Sequence, residues 1–439
     1  MLKRLEISGR LILLFVFLAT SASWSQTCQA DTESGPDLEL KEFRLDELEA
    51  RLQAMPAGTE RDYFAGMVAN RTNHTEESID LLNKAIPALR KARPDRAKEA
   101  LDALADDYMK TFRYGDAAQT MDDLIAQFAG QFKSAELQGT KDDAGIARIL
   151  REAPPQTIER HGVVALKTER NAINSQNVEL TVNGVRGPWL LDTGANLSVV
   201  TKSFAERLGL QLLPGVSQTQ AGLTGIENPL RVALLPTLEL GGAILHNVVV
   251  MVMEDANLNI SLGKTSYQIS GIIGYPVFQA LGKITFLQDG EFRAGGADQE
   301  TERGARMFMK GLTPIVQCEV EGKMLPFAFD TGASGTDLLL KYAKTFHAET
   351  KSWKKAKTKS AGAGGVVHRK VYVQPEVKFG IGGRVATLTK VTIYRSSSVS
   401  DHDELYGNLG QDIVAGFQSF TLDFSGMTFR LGQPLSAGQ

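Results

Sequence analysis

The chain has 439 residues, of which 43% are hydrophobic and 23% charged, with a formal net charge of −3. The length exceeds what one ordinary hydrophobic core supports and implies two to three domains, and the composition is that of a soluble globular protein. A charge this close to zero gives no long-range field to gather nucleic acid, so no nucleic-acid partner is expected.

The N-terminus reads as a targeting segment. Lys3, Arg4 and Arg10 are followed by an unbroken apolar run from Leu11 to Ala19 and then by small residues at Ser21, Ala22, Ser23 and Ser25. Nine apolar residues are too few for a membrane-crossing helix but suit the core of a signal peptide over residues 1–25. The expected location is therefore exported, periplasmic or secreted, with an uncleaved membrane anchor as the alternative. Only two cysteines occur, Cys28 and Cys318. Such a chain depends on its core rather than on disulfides, and Cys318 is expected to be a buried thiol.

Residues 37–160 read as an α-helical domain, because Ala, Leu, Lys, Glu and Asp dominate and long stretches lack Gly. In Glu76 to Leu89, the residues Ile79, Leu82, Ile86 and Leu89 fall on one face at helical spacing. Asp95 to Phe112 and Asp116 to Phe128 repeat the pattern, with Tyr114-Gly115-Asp116 as the expected break. This helix-turn-helix texture weakly resembles tetratricopeptide-type repeats, although no strict 34-residue period emerges. The resemblance implies a protein partner docked on the helices; a prodomain is the alternative.

The texture changes after Pro154-Pro155. Short runs of alternating Val, Ile, Leu and Thr are punctuated by Gly up to about Leu431. Val178 to Val182 followed by Asn183-Gly184 is a hairpin signal. The basic run from Lys351 to Lys359 is expected to be a solvated loop.

This β-rich region contains one unit twice. Val178 to Val200 reads VELTVNGVRGPWLLDTGANLSVV, and Val316 to Leu338 reads VQCEVEGKMLPFAFDTGASGTDL. The offset is 138 residues for the Asp (192 to 330), the turn Gly (184 to 322) and the Pro (188 to 326). Glycine-rich segments follow each Asp, with Gly222 and Gly225 in the first copy and Gly362, Gly364 and Gly365 in the second. The copies then reach Gly271-Ile272-Ile273-Gly274 and Gly407-Asn408-Leu409-Gly410, and each closes on a strand, through Thr285 and Thr421. The units are placed at residues 165–298 and 305–435.

Trp189-Leu190-Leu191 precedes Asp192, and Phe327-Ala328-Phe329 precedes Asp330. A carboxylate at the end of an apolar run is costly to bury alone and tolerable when it shares a proton with a partner. One such Asp per copy supplies that partner. Two carboxyls about 3 Å apart cannot both ionise, so one serves as base toward a water and the other as acid toward a carbonyl. The residues alone do not say which is which, because the pair titrates as a unit.

Asp-Thr-Gly-Ala after an apolar strand, a glycine-rich flap and an aliphatic-Gly step together resemble the retropepsins and their bacterial relatives. The resemblance covers both units and not the helical region. It implies a mainly β, bilobal aspartic-protease fold with the α-helical domain in front. It implies aspartic endopeptidase activity on extended polypeptides, with Asp192 and Asp330 as the catalytic pair. Thr193 and Thr331 would brace the two loops, Gly194 and Gly332 would allow their tight turn, and Ala195 and Ala333 would complete them. Gly222, Gly225, Gly362, Gly364 and Gly365 would form flaps over the substrate. Fusion of the copies implies a monomeric pseudo-dimer, as in pepsins, with pairing between chains as the alternative.

Pepsin-like enzymes usually carry Ser or Thr where this chain has Ala195 and Ala333. Without a hydroxyl to favour the charged carboxylate, a mildly acidic to neutral pH optimum is expected. No cofactor or metal is expected, since the six histidines and two cysteines show no metal-ligand spacing. A peptide-binding protein that cuts nothing is the alternative reading, with the helices and the cleft as its surfaces.

Overall fold

The computed structural model describes residues 35–220, 227–261, 265–295, 304–362, 365–396 and 404–436. The expected signal peptide, Cys28, Gly222, Gly225 and Gly364 lie outside these residues.

Amphipathic helices build the first part: Pro36–Lys41, Leu45–Ala54, Thr59–Arg71, Thr75–Ala92, Pro94–Lys110, Tyr114–Phe128 and Ser134–Ile149. The periodic residues Ile79, Leu82, Ile86 and Leu89 are all buried. Two details of the sequence reading are corrected. The break before helix Tyr114–Phe128 falls at Thr111 to Arg113, where Phe112 takes a left-handed φ of 59°. Helix also stops at Ile149, and Thr157–Arg160 is already a strand paired with Ala243–Met253. Helix texture therefore ends about ten residues before 160, because the Pro154-Pro155 pair disfavours helix on its N-terminal side.

From Thr157 onward the chain is mostly strand. The two repeats have matching topology. In the first, strands Gln176–Val182 and Val185–Leu191 form a hairpin whose turn residues Asn183 and Gly184 have φ of 50° and 77°. In the second, Thr313–Val320 and Lys323–Phe329 do the same with Glu321 and Gly322 at 49° and 72°. Two left-handed residues in a two-residue loop match the twist of the flanking strands. Strand Gly271–Ile273 then pairs parallel to Val185–Leu191 and antiparallel to Ser198–Thr201. Gly407–Leu409 pairs parallel to Lys323–Phe329 and antiparallel to Asp337–Leu338.

The repeats meet in a six-stranded antiparallel sheet. Its order is Val164–Arg170, Glu291–Ala294, Lys283–Leu287, Ser419–Asp423, Thr428–Leu431 and Ala305–Lys310. The approximate two-fold passes between the central strands at the Thr285–Thr421 pair, whose hydroxyls are 2.9 Å apart. Beside it Phe286 and Phe420 stack at 4.6 Å. The closing strands anticipated through Thr285 and Thr421 thus pair with each other.

The helical part shares its core with the second repeat. Phe308, Ile315, Ala328 and Leu405 belong to the same apolar cluster as the helix interiors. Phe43 is fully buried 6.0 Å from Phe308, and its carbonyl accepts from Gln317 Nε2 at 3.1 Å. Further along, Asn73 bonds the Phe424 carbonyl and the Tyr275 hydroxyl. Helix Ser134–Ile149 reaches the first repeat, where Ser217 Oγ donates to the Asp142 carbonyl at 3.1 Å. The helices therefore touch both repeats. No described helix is long and apolar enough to cross a membrane.

Candidate active site

Asp192 and Asp330 each follow a buried apolar strand and lie at the start of a tight loop. The strand ahead of each Asp is held by its parallel partner: Asp192 N–H donates to the Ile273 carbonyl at 3.1 Å, and Asp330 N–H to the Leu409 carbonyl at 3.0 Å. The loops then turn back on their own carboxylates. Gly194 N–H donates to Asp192 Oδ1 at 2.9 Å. Gly332 and Ala333 N–H donate to Asp330 Oδ1 at 2.7 and 3.1 Å.

The two loops are locked together by crossed threonines. Thr193 N–H donates to Thr331 Oγ1 at 2.9 Å, and Thr331 N–H donates to Thr193 Oγ1 at 3.1 Å. Each hydroxyl then donates to the strand of the other repeat: Thr331 to the Leu191 carbonyl at 2.8 Å, and Thr193 to the Phe329 carbonyl at 3.2 Å. Both threonines are almost fully buried, at 1% and 2% exposure, so these four bonds satisfy groups that water cannot reach.

This lattice brings the two carboxyls face to face. A Cβ at Gly194 would stand 2.5 Å from Asp330 Cγ, and one at Gly332 would stand 2.5 Å from Asp192 Oδ2. Glycine is required at both positions by the approach of the opposite carboxyl, not by the turn alone. Asp192 holds its proton well above the usual carboxylate range. Burial is the first cause, the adjacent charge of Asp330 the second and a hydrogen bond toward Asp330 the third.

Residues that the sequence reading did not single out support the loops in matching places. Ser198 Oγ accepts from Gly274 N–H, and Thr336 Oγ1 accepts from Gly410 N–H, both at 3.1 Å. Both hydroxyls lie six residues past their Asp, a match visible in the aligned repeats. Gln411 Nε2 donates to the Thr331 carbonyl at 2.7 Å. Asn408, in the second aliphatic-Gly step, donates from Nδ2 to Asp330 Oδ2 at 3.2 Å.

Of the expected flap residues, Gly362 and Gly365 face each other across the end of a long hairpin formed by Lys354–Gly362 and Gly365–Ile381. The basic run to Lys359 is thus mainly a strand of this hairpin rather than a loop, and Lys354, Lys355 and Lys357 are exposed on it. In the first repeat, Ser217–Gln220 pairs with the start of Glu227–Leu240, and the expected flap residues Gly222 and Gly225 lie outside the described residues. Cys318 is a buried free thiol whose ionisation is suppressed by burial.

Two facing carboxyls on loops cross-braced by threonine have the arrangement in which one proton can serve both groups. Comparison with known proteins agrees for the first repeat: residues 178–277 match the family model described as aspartyl protease. That stretch holds Asp192 and its supporting strands and stops short of the second repeat. No curated protein matches the chain. Among solved structures, the chain is similar to the crystal structure of Basic 7S globulin from soybean, at 11% identity and a TM-score of 0.41, over 62% of this chain and 95% of that one.

Proposed function

We propose that this protein is an aspartic endopeptidase in which Asp192 and Asp330, one from each fused unit, activate a water molecule against an extended polypeptide. The observation that carries the reading is the facing of the two carboxyls, each packed against the glycine that follows the opposite loop's threonine and held there by the crossed Thr193 and Thr331. One carboxylate takes a proton from the water as its oxygen attacks the scissile carbonyl carbon. The other carboxyl gives its proton to the carbonyl oxygen. On collapse the C–N bond breaks, the first carboxyl protonates the leaving nitrogen, and the second recovers its proton from the diol. No covalent intermediate is involved.

The paired strands Ser217–Gln220 with Glu227–Leu240 and Lys354–Gly362 with Gly365–Ile381 are suited to lie over a strand-like substrate and bond its main chain. The retropepsin-like bilobal arrangement is an internal pseudo-dimer, and the helical region brackets it. The basic and then apolar N-terminus supports export.

The test is incubation of the chain lacking residues 1–30 with unfolded proteins across pH 3 to 8. Asp192→Asn, Asp330→Asn and a statine-type inhibitor are run alongside. Cleavage that either substitution abolishes, by a monomeric species, is the expected result. A wild-type protein that binds peptides and cuts none of them refutes the reading and leaves a peptide-binding protein.

A further inference from the structure

The two carboxyls differ in the side chain that the neighbouring aliphatic-Gly step presents to them. Asn408 lies on strand Gly407–Leu409 and pairs with Ala328, close to the end of the strand that delivers Asp330. Its Nδ2 stands 3.2 Å from Asp330 Oδ2. The other oxygen of Asp330 already accepts two main-chain N–H groups, from Gly332 and Ala333. Both oxygens of Asp330 therefore have donors from this chain. The matching residue beside Asp192 is Ile272, which is buried and whose side chain has no polar hydrogen to donate. Asp192 Oδ1 accepts from Gly194 N–H, and the carboxyl faces Asp330 across the two loop glycines.

We infer that Asn408 is a positioning residue that breaks the symmetry of the pair: it holds Asp330 as the charged carboxylate and leaves the shared proton on Asp192. The inference rests on the peptidase reading for its meaning in catalysis and on geometry alone for the charge states. Hydrogen bonds donated to a carboxylate favour its charged form, so one proton shared by two carboxyls settles on the one with fewer donors. Asp330 is then the base that takes the water proton, and Asp192 is the acid that protonates the carbonyl oxygen.

Neighbouring charged groups have partners of their own. Asp337 accepts from the Tyr394 hydroxyl at 2.6 Å. Asp412 accepts from Thr336 N–H at 2.9 Å and from its hydroxyl at 2.6 Å. Arg170 Nη1 donates to Gln411 Oε1 at 2.5 Å. The amide of Asn408 is thus the side-chain donor that separates the two carboxyls.

The experiment is a carbon-13 NMR titration of the full chain labelled at aspartate carboxyls. Asp192→Asn and Asp330→Asn assign the two signals, and Asn408→Leu removes the donor while keeping the shape. The apolar Ile272 at the same place in the first repeat indicates that such a strand tolerates this side chain, and thermal melting checks that the variant folds. In wild type near pH 6, Asp330 should give the carboxylate signal and Asp192 the carboxylic-acid signal. In Asn408→Leu that separation should shrink, and the acidic limb of kcat/KM should move up by roughly one to two pH units, the equivalent of one hydrogen bond to a charged group. kcat should fall about ten-fold with KM little changed.

A wild type with Asp330 protonated and Asp192 charged overturns the inference, since the amide would then present its oxygen. A folded Asn408→Leu with unchanged carboxyl titrations overturns it too. If Asn408→Leu does not fold, the wild-type titration decides by itself. Charge states as stated in a chain that cuts nothing refute the peptidase reading and leave this inference standing.

Discussion

Replacing Asp192 with Asn should make the protein more stable, and increasingly so as the pH rises. Asp192 keeps its proton in the folded chain because burial penalises its charge, because Asp330 stands beside it and because of a hydrogen bond toward Asp330. In the unfolded chain the same carboxyl ionises near the ordinary value of about 3.9. Above that pH and below the pH at which the folded Asp192 ionises, the native state holds one proton more than the unfolded state. Stability then falls with rising pH at about 1.4 kcal/mol per pH unit. Asn has no proton to lose, so Asp192→Asn lacks this slope, and titrating groups distant from the pair cancel in the comparison. The assay is urea unfolding of the chain lacking residues 1–30 at pH 4.5, 5.5 and 6.5. It is followed by the fluorescence of Trp189 and Trp353, which are buried in the first and second repeats. The gap between variant and wild type should open toward neutral pH and then level off. Parallel pH profiles would mean that Asp192 ionises alike folded and unfolded, and the pairing of the carboxyls would be refuted.

Thr331→Val removes a hydroxyl that satisfies the buried Thr193 N–H and Leu191 carbonyl, so a loss of about 2–5 kcal/mol is expected in urea unfolding, with Thr331→Ser close to wild type. Gly332→Ala places a methyl 2.5 Å from Asp192 Oδ2 and should reduce kcat at least about 100-fold while the far-ultraviolet dichroism stays unchanged. Phe43→Ala empties a fully buried site against Phe308 and should cost about 3–5 kcal/mol, although Phe43 belongs to the helical part. By the same logic, cutting the chain near residue 150 should yield an insoluble β part with Phe308, Ile315 and Leu405 uncovered; a soluble and more active fragment would identify the helices as a prodomain. The peptidase activity should peak at mildly acidic to neutral pH, and an optimum near pH 2 to 3 would refute the argument from Ala195 and Ala333.

What could be read from the chain alone was whatever repeats or alternates over short distances. The helical spacing of Ile79, Leu82, Ile86 and Leu89 and the Asn183-Gly184 hairpin signal are local, and the structure has both. The constant offset between the two Asp-Thr-Gly-Ala motifs marked Asp192 and Asp330, because a carboxylate after an apolar strand calls for a partner wherever the chain brings one. The same alignment held Ser198 and Thr336, whose shared hydroxyl was a usable signal.

Other features depended on which strands closed on which, and no local pattern carries that. Asn408 and Asp330 are 78 residues apart, and their contact exists because Gly407–Leu409 runs parallel to the strand ahead of Asp330. In the sequence Asn408 was only the irregular member of an otherwise aliphatic step. The crossing of Thr193 and Thr331 depends on the two loops meeting across the approximate two-fold axis at Thr285 and Thr421. The docking of the helices on Phe308 and Ile315 was hidden for a related reason. An apolar residue on a strand declares that it will be buried, but only the tertiary structure decides what buries it.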